Sequence, residues 1–229
     1  PDSSTATVMA GTGTQINATT YQFNSSYDNP SYVGYMYTAS QQHGNSTSST
    51  IKTTLENWYK TTTLETDSAT KALVSQDQIF CNDRSVTSGS FSTSSTFYYA
   101  AYTRLNTNKS PILTCPTDSD KFTSKKSSIG NKTLDYPVGL ITADEVAMAG
   151  GVWNTNNTTY YLYTKQNYWI GSPLNFSGNA SAFGFNVYSS GYILIDHVNF
   201  SLGVRGVVSL SSSVKLSGNG TYNNVYIPS

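Results

Sequence analysis

The chain has 229 residues, in which 13 basic and 13 acidic side chains cancel and charged residues make up only 11%, less than half of the roughly 25% usual in soluble domains. A neutral chain has no long-range field to gather a polyanion, which argues against nucleic acid or an acidic membrane surface as partner. No stretch approaches the roughly 20 apolar residues of a membrane span, and the length suits one large β-rich domain or two small ones.

Hydroxyls and amides replace the missing charges. With only two cysteines, this composition fits an exported protein, at the cell surface or outside the cell, better than a cytosolic enzyme. Pro1 reads as the start of a processed or trimmed product, so a signal peptide or an anchor to a membrane or surface filament would lie outside this stretch.

Residues 1–20 are rich in Ser, Thr, Gly and Ala and read as an N-terminal arm that pairs as an edge strand or frays. Tyr21–Phe23 and Val33–Tyr37 alternate with the strand period around Asp28-Asn29-Pro30, which predicts a first hairpin. From Ser49 to Lys60 the period changes. Ile51, Leu55, Trp58 and Tyr59 share one helical face behind Ser48 or Ser49 as N-cap.

A short helix is expected through Leu73, leading into Gln78–Cys81 and a turn at Asn82-Asp83-Arg84, with a polar loop over 85–96. Phe97–Tyr102 is an aromatic run before a long irregular stretch. Thr142-Ala-Asp-Glu145 has the form of a capping box, opening a second helix that Gly150-Gly151 ends. Five strands are then expected: Tyr160–Thr164, Phe183–Val187, Tyr192–Ile195, Val204–Leu210 and Tyr222–Ile227, punctuated by glycines. Two helices and a strand-rich, loop-rich end give an α+β fold.

Cys81 and Cys115 lie 34 residues apart without CxxC spacing, so zinc and redox motifs are not supported. One structural disulfide is the expected use, and two buried reduced thiols are the alternative. Catalytic signatures such as HExxH, GxSxG, a P-loop or GxGxxG after a strand are absent from the sequence. His43 and His197 read as exposed loop or strand residues, and the Lys121–Lys126 cluster as a solvated loop. The Asn-x-Ser/Thr sequons follow from composition.

Aromatic and Asn side chains are dense from Trp153 to Phe200, the mixture that makes contact surfaces at low entropic cost. Phe183, Phe185 and Val187 could equally line a core, and Trp169 is assigned there, whereas Asn175, Asn179, Asn186 and Asn199 are expected outside. Arg205 is read as structural, locking the last strand through backbone carbonyls or an ion pair.

The order Tyr136-Pro-Val-Gly-Leu-Ile-Thr-Ala-Asp-Glu-Val146, Gly150-Gly151, Tyr168-Trp-Ile-Gly-Ser-Pro173 and Gly203-Val-Arg-Gly-Val-Val-Ser-Leu210 resembles a C-type-lectin-like domain of the formylglycine-generating-enzyme type. Such domains occur in bacterial and phage surface proteins, among them the variable proteins diversified by retroelements, some of which are pilin-like. The similarity covers about residues 134–228, and the helix at Ile51–Lys60 with Cys81–Arg84 looks like the N-terminal part of the same domain, giving one domain over 21–229. Gly206 departs from the Pro usual after the Arg.

The resemblance implies a variable segment at about 165–205 and an exposed ligand-binding set of Asn175, Phe176, Ser177, Asn179, Ser181, Phe183, Asn186, Tyr188, Tyr192, Asp196, His197 and Asn199. The catalytic branch needs a reactive cysteine pair or a metal near the C-terminal end, and no cysteine lies beyond Cys115. The expectation is therefore a surface-displayed binding or adhesion protein without catalysis, cofactor or metal, whose partner is a protein or a glycan. A structural pilin-like subunit is the alternative. A glycan hydrolase would need a carboxylate pair, and Asp83 with Asp118 or Asp120 is the only candidate.

Overall fold

The computed structural model of the protein describes residues 15–160, 162–178, 181–219 and 227–228. It is mixed, 20% helical and 27% strand, with several small sheets, as the α+β expectation has it. Short strands come first: β1 (Tyr21–Gln22), β2 (Met36–Tyr37) and β3 (Thr47–Ser48), then helices α1 (Thr50–Tyr59), α2 (Thr63–Thr66) and α3 (Ser68–Ala72). β4 (Phe80–Cys81), β5 (Val86–Ser88) and β6 (Phe97–Tyr99) lead into α4 (Ala100–Tyr102), which widens into a π-helical stretch, Thr103–Asn108. After β7 (Lys121–Phe122) and α5 (Ala143–Met148) come the long strands β8 (Tyr168–Ser177), β9 (Ser181–Val187) and β10 (Ile193–His197), and the short β11 (Ser201–Leu202).

Five strands form the main sheet in the order β10-β9-β8-β6-β5, with every pair antiparallel. β8 is central and buried along nearly its whole length, so it reads as a run rather than an alternation. Pro173 lies in its middle, where a missing N–H is tolerated only at an irregularity. The register shifts on both sides of Pro173, from Trp169 opposite Asn186 to Asn175 opposite Phe183. Six steps along β8 thus match three along β9. That odd excess reverses the inside–outside alternation, and it decides on which face Asn175 appears.

Each face of the sheet carries its own core. On one, Trp169, Phe176, Ala182, Phe97 and Tyr99 join Phe23, Phe80, Phe122 and the buried face of α1, Ile51, Leu55 and Tyr59. On the other, Tyr168, Ile170, Phe185, Val187 and Ile193 pack with Ala101, Leu105, and Ala143 and Val146 of α5. Ser49 caps α1 by accepting the Lys52 N–H, and Thr142 and Glu145 close the capping box at α5. Cys81 and Cys115 are bonded, at a Cα separation of 5.6 Å.

Several sequence expectations are corrected. Tyr21–Gln22 pairs with Ser201–Leu202, and Met36–Tyr37 with Thr47–Ser48, so there is no first hairpin. Pro30–Val33 between them is a 3-10 turn, with Asn29 as its cap and Pro30 supplying the φ that such a turn needs. The described residues of 160–164, and residues 204–210, form no strand. The latter pair with other segments only in isolated bridges, Gly139 with Val207 and Val74 with Leu210, although Val204 is buried in the core. The loop over 85–96 contains β5, an edge strand of the main sheet. The described helices exceed the two expected. Most of the N-terminal arm and of the last expected strand lies outside the described residues.

Beneath the sheet lies a buried polar hub that looks like a plain turn in the sequence. Asn82 accepts the Tyr35 N–H and donates to the carbonyls of Val33 and Gly171. Arg84 is fully buried. Its guanidinium donates to Asp120 Oδ1 at 2.9 Å from Nε and 2.6 Å from Nη2, and to Met36 O, Gly44 O and Asn45 Oδ1. Asp120 Oδ2 accepts the Arg84 N–H and lies 3.0 Å from His43 Nδ1, so neither charge lacks partners.

Candidate functional site

In an antiparallel sheet, directly opposed residues share a face. Tyr98 of β6 stands opposite Asn175 of β8, Asn175 opposite Phe183 of β9, and Phe183 opposite His197 of β10. These four side chains therefore form one row across four strands, about 14 Å long at the usual strand spacing. The row runs at the edge of the face that α4 and α5 cover. Inward of it, Phe185 and Ile193 are buried under those helices, whereas Tyr98, Phe183 and His197 are only half-buried.

Further aromatic rings adjoin the row, Tyr102 and Trp153 folding back over Phe185 and Ile193 and the others lying beyond His197. Tyr98 stacks on Tyr102 at 4.4 Å, and Tyr102 meets Trp153 edge-on at 5.7 Å. At the other end His197 lies 4.2 Å from the Phe183 ring and 5.2 Å from Phe200, with Tyr27 edge-on at 6.5 Å. Phe200 and Tyr27 are 50% and 44% exposed. Apolar rings left at a surface mark contact sites when they are contiguous.

Asn175 is recessed in the middle of this row, only 8% exposed. Its Oδ1 is buried and accepts no hydrogen bond, at a cost of about 1–3 kcal/mol for such a group. Asn186 Oδ1 is also unpartnered, but it lies on the opposite face, level with Trp169, and its Nδ2 donates to Asp196 at 2.9 Å. Among the row residues, the recessed amide alone has a buried acceptor without a hydrogen-bond partner.

The other residues of the sequence-derived set are scattered. Phe176 packs in the core on the far face, and Asn186 is fully buried. Both were expected outside, as was Asn175, which is also buried, and the odd register shift in β8 together with the alternation of β9 turns Phe176 and Asn186 in. Asp196 lies beside Asn186 on that same face, and burial pushes its carboxyl above the usual carboxylate range. Tyr188 and Tyr192 stack on each other at 5.1 Å at the β9–β10 turn, the opposite end of the sheet from the row. Ser177 and Ser181 flank the β8–β9 turn near the row, and the Asn199 carbonyl accepts from Gln22 in the turn before Phe200. Asn179 lies outside the described residues. Tyr98, Tyr102 and Tyr27 went unseen because they come from distant parts of the chain and only strand pairing unites them.

A cleft of about 540 Å³ opens beside the disulfide, lined among others by Asp83, Arg104, Leu113, Asp144 and Glu145. Arg104 spans Asp144, through Nε and Nη2 at 2.8 and 2.7 Å, and Asp83, through Nη1 at 2.8 Å. Glu145 is held in its capping box. Asp83 is thus tied to Arg104 and Asp120 to Arg84, so neither carboxylate is positioned as a free acid or base. Among the described residues, no group of three or more His, Cys, Asp or Glu side chains could hold a metal ion. Arg205 donates to Leu162 O at 3.0 Å and lies 4.8 Å over the Tyr168 ring, which fits the structural role read from the sequence.

No protein-family model, curated protein or solved structure matches this chain.

Proposed function

We propose that this chain is a surface-displayed binding or adhesion protein, built on a C-type-lectin-like scaffold, that holds its ligand on the row Tyr98–Asn175–Phe183–His197. The observation that carries this reading is the contiguous cluster of rings at one end of the row, Phe183, His197, Phe200 and Tyr27, of which Phe200 and Tyr27 are 50% and 44% exposed. The neutral, hydroxyl-rich composition supports the extracellular setting. The test is an unbiased screen of immobilised proteins and glycans with the wild-type chain and with Phe183→Ala. Loss of a specific ligand in the variant supports the reading, and equal binding by both refutes it.

A second reading, a structural subunit of a surface filament, has one observation in its favour. β10 is the terminal strand of the sheet. Tyr188–Tyr192 and Ala182–Val198 contribute ladder hydrogen bonds, so Ile195 falls in a non-hydrogen-bonded pair with Phe185, and its N–H and C=O point away from β9, next to the part of the edge that residues 152–154 cover at Ile193. Light scattering over a concentration series tests it: growth into polymers is its expected result, and a constant mass counts against it.

A further inference from the structure

We infer that Asn108 and Asn156 are acceptor sites for covalent N-linked glycans, selected by the fold from a chain full of similar motifs. This rests on the extracellular setting proposed above and on no particular ligand. An Asn-x-Ser/Thr motif takes a glycan where it stands on an exposed loop. Asn, Ser and Thr are so common in this sequence that the motif alone selects nothing. Two pairs of near-identical motifs, however, meet opposite structural fates.

The first pair is Asn108-Lys-Ser110 and Asn131-Lys-Thr133. Asn131 is engaged: its Nδ2 donates to Ser119 O at 2.8 Å, and its Oδ1 accepts from the N–H and the hydroxyl of Thr133. Asn108 ends the π-helical stretch, where Lys109 turns the chain through a φ of 52°, and Asn108 and Ser110 are both exposed. The second pair overlaps, in Asn156-Asn157-Thr158-Thr159. Asn157 Nδ2 donates to Gly150 O at 2.6 Å, and its Oδ1 accepts from the N–H and the hydroxyl of Thr159. Asn156 and Thr158 are exposed, with side chains that make no hydrogen bond among the described residues. Elsewhere Asn45 holds Arg84 and Ser119 O, Asn24 and Asn175 are buried, and Asn17 donates to the Tyr21 hydroxyl.

Attachment joins Asn Nδ2 to the anomeric carbon of an oligosaccharide carried on a lipid diphosphate. The N–C bond forms as the C–O bond to the diphosphate breaks. The nitrogen loses one proton, and the lipid diphosphate leaves with the bonding pair. A sugar on Asn45, Asn131 or Asn157 would have to displace hydrogen bonds that the fold uses, so even attachment before folding leaves those positions bare in the native chain. At Asn108 and Asn156 the sugar projects into water. Asn156 also follows the segment that covers β10 at Ile193, and Val152, bridged to Thr155 in that segment, is 43% exposed. A hydrated glycan there shields Val152 and the neighbouring edge at Ile195 from other chains.

The experiment secretes the chain from eukaryotic cells that attach such glycans, and a thermal melt shows that the product is folded. Peptide N-glycanase in water labelled with heavy oxygen then converts each occupied Asn to labelled Asp, which peptide mapping locates. The label is expected at 108 and 156, with 131 and 157 still Asn, and Asn108→Gln and Asn156→Gln should each remove one glycan. An unlabelled position 108 or 156, or label at 131 or 157 in the folded chain, overturns the inference. Ligand binding by the wild-type chain and by Phe183→Ala is read separately, so either proposal can fail while the other stands.

Discussion

Phe183 and His197 oppose each other across β9 and β10 with ring centroids 4.2 Å apart, whereas Phe185, two residues further along the same face, is fully buried beneath Trp153 and the helices. The same strand therefore passes from core to surface within one side-chain repeat. Truncation should expose the boundary. Phe185→Ala is expected to cost about 3–5 kcal/mol, as for a fully buried ring, and Phe183→Ala about 1 kcal/mol. Urea unfolding of the two variants checks the contrast.

The hub around Arg84 predicts a larger penalty than its turn-like sequence suggests. Asp120→Ala removes the carboxylate whose Oδ1 accepts Nε and Nη2 of a guanidinium that has no exposure to solvent and whose Oδ2 accepts the Arg84 backbone N–H, and leaves a buried charge uncompensated. A loss of about 3–5 kcal/mol is expected, read as a shift in the urea midpoint. A loss below about 1 kcal/mol would mean that the hub rearranges to admit water.

The disulfide closes a 34-residue separation and ties the irregular stretch around Pro111 and Pro116 to β4. Replacing both cysteines by serine should lower stability by about 2–4 kcal/mol through the freer unfolded chain. Thermal melts with and without reductant should show the same drop in the wild type.

Asp196 sets a pH dependence whose sign can be worked out. Burial raises its folded pKa above the unfolded value of 3.8, despite the Asn186 hydrogen bond and His197 nearby. Between the unfolded and the raised folded value the native state binds the extra proton, so this group's contribution favours folding at low pH and is lost as pH rises through the folded pKa. Asp196→Asn keeps an acceptor for Asn186 and removes the ionisation. Its melting temperature should therefore equal or exceed that of the wild type at pH 7, and the difference should shrink as the pH falls toward 4. A difference that grows on acidification contradicts this assignment.

Local chemistry was legible wherever one segment decides it. The four-residue spacing of Ile51 and Leu55 and the cap at Ser49 define α1, and the Thr142–Glu145 pair defines the start of α5, since both signals lie within a few residues. Strands β9 and β10 followed from their apolar runs. What escaped depends on distant partners. Tyr21–Gln22 alternates like one arm of a hairpin yet pairs with Ser201–Leu202, 180 residues on by number, because register with a remote strand wins over a nearby turn. Arg84 looked like part of a turn because its acceptor Asp120 and the carbonyls of Met36 and Gly44 lie far off in the chain. In the candidate site, Asn175, Phe183 and His197 were named and came together, but Asn175 is buried instead of exposed, and Phe176 and Asn186 were misplaced by the register excess in β8, which periodicity does not reveal.

Asn175 offers the most direct trial, through the free energy of unfolding of Asn175→Leu measured without ligand. Because Oδ1 accepts nothing in the folded chain, replacing the amide with an apolar group should leave stability unchanged or raise it by about 1–2 kcal/mol. A loss of about 2 kcal/mol or more would show that the amide already has a partner within the protein, and the row would then be ordinary packing at the rim of a core.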